Sequence, residues 1–477
     1  MTNDDLLTRV DRTLGESIDN AVVKHHRRRL KRIGRLDALD ASGGDWAAGD
    51  PPPREGNELE LLIDGAEALP RIAEAIRSAE SSVELAGWHF EASFELERLG
   101  ESLRELLAAA AERVDVRVLA WAGSPLPLFH PDRKDVREAL HRLTTGTRIR
   151  AAGDSKERPM HCHHEKLVVV DGSTAFVGGI DLTGLGGDRF DRSDHPARGA
   201  NGWHDAATRI RGPAVADVAE HIRLRWADVT GERLPDPVPP GPAGHVELQV
   251  VRTVPEHVYD ALPRGDFRIL ESYLRAIRSA REFVYLESQF LWSPEIVDVL
   301  AEKLRNPPSD EFRLLVLLPA KPHNGEDDTR GQLGQLVEAD GGDRFLACTL
   351  YQRDAGLPVY VHAKIGIVDD AWLTLGSANL NEHSLFNDTE MNVVCRDPRI
   401  VRAARLRLWA EHLECTPEEL EAPVVELVDG RWRPRAEEQL EKKSRGEQLT
   451  ARLARLPHVS RRSRRLLGPI NGVLVDG

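Results

Sequence analysis

A pattern of His, Lys and Asp occurs twice in this chain, in equivalent settings. His161 to Gly179 reads HCHHEKLVVVDGSTAFVGG and His362 to Ser377 reads HAKIGIVDDAWLTLGS, so His164, Lys166 and Asp171 recur as His362, Lys364 and Asp369 at one constant offset. A single H-x-K-x4-D match would arise by accident in a chain of this length on the order of a few per cent of the time. Two matches in equivalent contexts point to a duplicated architecture. KLVVV and KIGIV have strand length, and Asp171-Gly172 favours a tight reversal into STAFVG, so each copy reads as a β-hairpin. Residues two apart on a strand share a face, which projects His164 with Lys166 and His362 with Lys364. Asp171 and Asp369 have the opposite parity and fall at the turn, where a carboxylate can hold backbone amides, so their expected role is structural.

The duplication extends beyond the motif. IRSAESSVELAGWHF (Ile76 to Phe90) aligns without a gap with IRSAREFVYLESQFL (Ile277 to Leu291), VDVRVLAW with EFRLLVLL, Gly178-Gly179 with Gly376-Ser377, and Trp226 with Trp409. Strand and helix patterns alternate from ELELLID onward, and 477 residues exceed what one hydrophobic core usually serves. The expected fold is α/β: two repeated sandwich halves packed about a pseudo-two-fold axis, with one shared site at their interface. Residues 1–56 are expected to be a basic arm and Gly/Pro linker, 57–233 the first half, 234–245 a Pro/Gly linker, 246–415 the second half, and 416–477 a C-terminal extension. Within the extension we expect a short strand pair around VVELVDGRW and a charged amphipathic helix near Glu437 to Arg455.

The net charge of −14 argues against whole-surface attraction for nucleic acid or anionic lipid. Positive charge gathers instead at Lys24 to Arg35 and at Arg461 to Arg465. These runs read either as solvated arms or as peripheral tethers to anionic headgroups. The acidic, polar N-terminus lacks the features of a secretory signal, and no apolar run approaches bilayer-spanning length. Four cysteines without C-x-x-C spacing suggest reduced thiols. A cytoplasmic location is expected. The oligomeric state is not readable.

Two His and two Lys in one pocket suit displacement at a phosphate ester without a cofactor. One imidazole attacks phosphorus, the other donates a proton to the leaving alcohol and later activates water, and the lysines supply fixed positive charge. Each imidazole needs a carboxylate partner, and Asp205 and Glu390 occupy matching places, eight residues before Pro213 and Pro398. The run His161-Cys162-His163-His164 raises the competing idea of a metal site, but adjacent strand residues point to opposite faces and Lys166 would set a cation beside the metal. No metal is therefore expected there, and Cys162 and His163 read as packing residues. His130, His141, His195 and His257 read as surface or loop histidines.

These paired motifs resemble the phospholipase D superfamily. YLESQFLWSPEI (Tyr285 to Ile296) is similar to that family's IENQFF-type segment, LGSANLNEHSL (Leu375 to Leu385) to its GSANINxRS segment, and the likeness covers about residues 58–415. The resemblance implies a two-lobed α/β sandwich with a central site, in which Asn379 and Asn381 help order the pocket and Ser173, Ser384, Glu287 and Gln289 lie near it. It also assigns His164 as nucleophile and His362 as acid, with the reverse left open. The chain departs from the pattern at Ser288, often Asn in the family, and at His383, often Arg, and a changed pocket edge can change headgroup preference. The implied activity is metal-independent cleavage or exchange of glycerophospholipid headgroups through a phosphohistidine. A nuclease, a cardiolipin synthase-like transferase and a non-catalytic lipid- or phosphate-binding protein are the alternatives.

Overall fold

The structure, a computed structural model, describes residues 3–41, 46–98, 100–126, 129–158, 160–190, 195, 201–321, 326–457 and 459. Among the described residues eight strands come from the first part of the chain: β1 Arg54–Ile63, β2 Ser82–Gly87, β3 Asp115–Trp121, β4 Arg150–Asp154, β5 Lys166–Val170, β6 Thr174–Gly178, β7 Gly202–His204 and β8 Ala206–Arg211. Ten follow: β9 Val246–Val254, β10 Asp266–Phe267, β11 Phe283–Glu287, β12 Arg313–Leu317, β13 Phe345–Tyr351, β14 Pro358–Val361, β15 Ile365–Val368, β16 Trp372–Gly376, β17 Glu390–Cys395 and β18 Leu453–Arg455.

Two mixed sheets carry one strand order. The first runs β1–β8–β6–β5–β2–β3–β4, antiparallel as far as β2 and parallel beyond it. The second runs β9–β17–β16–β15–β11–β12–β13 with the same change of sense at β11. In each, the motif hairpin (β5–β6 or β15–β16) is central. The sheets are joined where Arg54 and Asn57 of β1 meet Leu248 and Val246 of β9, and where β7 of the first part pairs in parallel with β14 of the second.

The apolar runs of the motif strands are continuous because both faces are covered. Leu167 and Val169 share one core with Ile365, Ile367, Leu375 and Met391, between the sheets. Val168 and Val170 face a second core with Leu69, Ile72 and Leu107 from the helices Asp64–Arg77 and Leu103–Ala111. A third core covers the other sheet with helices Arg268–Ser279 and Pro294–Arg305. The layering is helix, sheet, sheet, helix, with the motifs in the two middle layers.

Three segments differ from the reading of the sequence alone. The basic block lies on the helix Asn3–Ile33, where Leu30 is fully buried and Arg29 forks onto buried Glu256 at 2.7 Å and bonds Asn387 and the carbonyl of Phe386. His26 stacks on Phe386 with ring centroids 3.8 Å apart. This part of the basic arm is bound to the second half and not free in solvent, although Arg27 pairs with Asp40 at the surface. Part of the Gly/Pro stretch before β1 is also packed, Gln249 Nε2 donating to the carbonyls of Ala47 and Pro51. The second basic run, Arg461 to Arg465, lies outside the described residues.

In the C-terminal extension, residues 424–432 are helical where a strand pair is expected. VVELV suits either period, and burial of Leu427, Val428, Trp432 and Ala436 selects the helix; Trp432 packs on Trp409 and Tyr285 with centroids 5.2 and 5.9 Å apart. Helix Arg433–Ser444 ends before Arg455, and the last residues of that stretch form β18 on the edge of β13. Residues 233–243 are without helix or strand, and Val238 is 83% exposed. Among the described residues no helix is long and apolar enough to cross a membrane.

Candidate active site

His164 and His362 each enter the site just before a central strand, and each meets a carboxylate from the other half. His164 Nδ1 lies 3.0 Å from Glu390 Oε1, and His362 Nδ1 lies 2.6 Å from Asp205 Oδ2. All four side chains are buried. The exchange is built by backbone pairing across the halves: the amide of His164 donates to the carbonyl of Thr389 at 2.9 Å, and the amide of His362 to that of His204 at 2.7 Å. Thr389 and His204 immediately precede Glu390 and Asp205, so each motif is laid beside the strand that carries its partner. A carboxylate on Nδ1 fixes the tautomer and leaves Nε2 for chemistry.

The two carboxylates are accommodated differently. Glu390 accepts from Ser384 Oγ at 2.6 Å and also from Ser377 Oγ. At the position matching Ser377 the first half has Gly179, where a Cβ would collide with the Asp205 carboxylate. The longer acid is thus steadied by a hydroxyl and the shorter one is given room.

Lys166 Nζ donates to the carbonyl of His164 at 2.7 Å and pairs with buried Asp181 at 3.4 Å; Lys364 Nζ donates to the carbonyl of His362. Electrostatics tie the sets together. Burial, then Lys364, pushes His362 down to about 3, Lys166 acting in the same direction and Asp205 against it. Lys364 is lowered to about 8 by burial, with Lys166 adding to the effect and Asp205, Glu390 and Asp181 opposing it. Burial holds Glu390 well above the usual carboxylate range despite Lys166 and the two serines. Burial acts in the same direction on Asp205, but His362 and Lys364 outweigh it and keep this acid below its ordinary value. Charges from both motifs act on one another, and the two sets therefore form a single site.

Asp171 and Asp369 stand at the far ends of the motif strands, in the left-handed region with φ of 54° and 53°. Asp171 accepts from the amides of Glu80, Ser81 and Ser82, and Asp369 from those of Arg281, Glu282 and Phe283, so each clamps the start of the neighbouring strand, β2 or β11. Ser173, expected near the pocket, is exposed on that same turn. It follows β5, whose five residues span roughly 16 Å, and so sits at the opposite end from Lys166.

Asn381 Oδ1 accepts from the amide of Ser384, continuing the chain to Glu390. Asn379 Nδ2 donates to Gln289 Oε1 at 3.2 Å, and Gln289 Nε2 to Tyr360 Oη at 2.9 Å. Trp203 stacks on Tyr360 and lies tilted against His362, 5.0 Å from each ring. Glu287 is set back from the motif residues, bonded to Tyr285, His204 and His412. Through His204 it reaches the backbone that carries Asp205.

Sequence reasoning did not single out Asp181, or the buried chain behind Asp205. In that chain His204 Nδ1 and the amide of Asp205 both bond Asp64 Oδ1, and Asp64 Oδ2 bonds His195. His195 is buried, not a surface residue, and lies 2.8 Å from a guanidinium nitrogen of Arg452. The organising group, a half-buried acid at the left-handed residue Asp64, has no sequence signature. Among the described residues four groups bring three or more potential metal ligands together: Asp64, His195, His204 and Glu411, which has the Arg452 cation beside it; His204, Glu287 and His412; the partly exposed His130, Asp132 and Asp135; and His161, His383 and Asp388. The consecutive His161 to His164 do not converge: His163 bonds Thr389 and lies 3.2 Å from Asp154, and Cys162 is packed inside.

The family model for phospholipase D matches residues 323–455. Phospholipase D A of Dictyostelium discoideum is 26% identical over 472 residues, covering 77% of this chain and 36% of its own length. Major cardiolipin synthase ClsA of Bacillus subtilis is 26% identical over 362 residues, covering 73% and 67%. Among solved structures, phosphatidylserine synthase of Haemophilus influenzae superposes with a TM-score of 0.54 at 12% identity, over 79% of this chain and 88% of that one, a likeness of fold. The chain spans about a third of the length of the Dictyostelium relative and about two thirds of the Bacillus one.

Proposed function

The chain belongs to the phospholipase D superfamily, and on that premise we propose that it cleaves glycerophospholipid headgroups and passes the phosphatidyl group to water or another alcohol. The observation that carries this reading is the pair of buried imidazole–carboxylate contacts exchanged between the halves, with both lysines in electrostatic reach. A module that only binds lipid has no use for two imidazoles so arranged. The net charge of −14 disfavours a nuclease.

In the proposed reaction His164 Nε2 forms a bond to phosphorus while the bond to the headgroup oxygen breaks, and protonated His362 gives that oxygen its proton. His362 then takes a proton from the acceptor alcohol or water, whose oxygen displaces His164 from phosphorus. Lys166 and Lys364 balance charge gathering on the non-bridging oxygens. One observation favours exchanging the two roles. In the free site His362 is held neutral, the form a nucleophile needs, whereas burial raises Glu390 beside His164 well above the usual carboxylate range. Trapping the phosphoenzyme in His164→Asn and His362→Asn separates the two assignments.

Asn379, Asn381, Ser384 and Gln289 are proposed to order the pocket, with Glu287 supporting it from behind. We further place the enzyme in a reducing, cytoplasmic compartment, which its four cysteines, none of them in a disulfide, fit, and at the membrane surface, where its substrate lies. The test is headgroup release from vesicles of defined phospholipids, with chelator present and ethanol added to half the samples. Release that yields phosphatidylethanol and is lost in His164→Asn is expected. Absence of release from every lipid, or near-normal release by either His→Asn variant, would overturn the proposal.

A further inference from the structure

We propose that His161, His383 and Asp388 bind one divalent transition-metal ion of the zinc class beside the reactive histidines. The three residues come from two segments. His161 precedes β5, His383 opens the π-helical turn His383–Asn387, and Asp388 follows that turn directly. His161 Nδ1 lies 3.0 Å from His383 Nδ1 and 3.4 Å from Asp388 Oδ1, and the ligand atoms of the three all fall within 4.8 Å of one another. A tetrahedral zinc ion with bonds of about 2.0–2.1 Å holds its ligand atoms roughly 3.3 Å apart. The observed spacing is therefore that of a site, and it belongs to the residue types zinc selects.

The polar atoms support a cation more strongly than a plain hydrogen-bonded pair. If His161 and His383 share one proton across their facing Nδ1 atoms, that same hydrogen must also serve the Asp388 carboxylate beside His161, whereas a cation uses both lone pairs. Asp388 is fully buried, and its Oδ2 has no hydrogen-bond partner. Its Oδ1 accepts from the amide of Cys162 at 2.9 Å, the kind of outer contact that orients a ligating carboxylate. The His161 side chain retains 16% exposure, so a fourth position can open toward water. By contrast, the cluster at Asp64 has an arginine as its neighbour and needs no ion.

The ion's place in the fold suggests its effect. Asp388 is two residues before Glu390, and His161 three before His164. Between them, the amide of Thr389 donates to the carbonyl of Cys162 at 3.1 Å. A metal bound there would fasten the segment carrying His164 to the segment carrying its carboxylate, as a positioning clip that touches no reacting atom. This inference does not depend on which phosphodiester the enzyme cleaves, and the chemistry proposed above passes through no metal.

The experiment uses the full-length chain, freed of metal with chelator, dialysed, and titrated with Zn²⁺ by calorimetry and with Co²⁺ by visible absorption. One equivalent at sub-micromolar affinity is expected, with a Co²⁺ d–d band of tetrahedral intensity. His161→Gln, at the partly exposed edge, and Asp388→Asn should each weaken Zn²⁺ binding at least 30-fold and remove the band, with the far-ultraviolet circular dichroism of His161→Gln unchanged. A wild-type chain that binds no equivalent, or variants that bind as wild type does, would overturn the proposal. Headgroup release is a separate readout: in chelator it should persist at a reduced rate, since the metal positions and does not react, and binding alone decides the metal.

Discussion

Asp205 receives the Nδ1 hydrogen of His362 at 2.6 Å although the two residues belong to different halves, and His164 meets Glu390 in the reciprocal arrangement. Each imidazole is oriented by a carboxylate it does not share a sheet with. Removing the charge while keeping the shape should leave the fold and spoil the chemistry. Asp205→Asn is expected to lower turnover about 100-fold or more with little change in KM, since the amide can stabilise the wrong tautomer and no imidazolium. Rates on a chromogenic phosphodiester, with circular dichroism as the folding check, measure this.

Lys364 sits near pH 8 in the free site, displaced chiefly by burial, well below its ordinary value. Its positive charge is therefore lost in an accessible range. The profile of kcat/KM, which reports the free enzyme, should fall above about pH 8. Lys364→Arg should move that limb upward by two units or more, because a guanidinium stays charged, at some cost in rate from altered reach. An unmoved limb would assign it to another group.

Stability carries a second pH signature. His362 is near 3 when folded and near its ordinary value when unfolded, so between those values the unfolded chain binds more protons. By linkage, its contribution is complete above about pH 6.5 and is lost as pH falls toward 3. Denaturant titrations at pH 4 and pH 7 should show a smaller difference in His362→Gln than in the wild type.

Asp171 holds three backbone amides at the start of β2 and touches no motif side chain among its recorded bonds. Asp171→Ala should cost about 2 kcal/mol, the loss of charge-assisted bonds to amides left partly unsatisfied. Turnover of the folded fraction should remain within a few-fold of wild type. A selective loss of rate without loss of stability would give this residue a chemical part instead.

Gly179→Ala should act on the Asp205 carboxylate, against which its Cβ would collide. Overpacking of this kind costs about 1–3 kcal/mol, and displacement of Asp205 should reduce turnover at least 10-fold. The equivalent change Ser377→Gly should do less to stability but loosen Glu390, one of whose two hydroxyl partners it removes.

How much of this was legible in the sequence follows from what a repeat can encode. Matching offsets identify equivalent positions, so the alternation of strands and helices in each half, the hairpins, and the matched acids Asp205 and Glu390 stand out. Offsets do not say which sheet an acid faces, and the exchange of carboxylates depends on backbone pairing at His204 and Thr389. Strand β7 is three residues long and pairs with a strand of the other half, below any periodic signal. VVELV satisfied a strand pattern until Trp409 and Tyr285 supplied a surface for a helix. The resemblance puts Ser173 near the pocket, although a five-residue strand separates it from Lys166. His195 looked like a loop residue because its partners, Asp64 and Arg452, are distant in the chain.

The reciprocal dyads also bear on ancestry and on engineering. Neither half owns a complete working pair, so an isolated half, however well folded, would present an imidazole with no acid behind it. Severing the exposed chain near Val238 is another matter, because the β7–β14 and β1–β9 pairings would still clasp the pieces. Two separately expressed fragments should thus be silent alone and regain activity on mixing, and a defect at Asp205 in one could be complemented only by a fragment supplying that same acid.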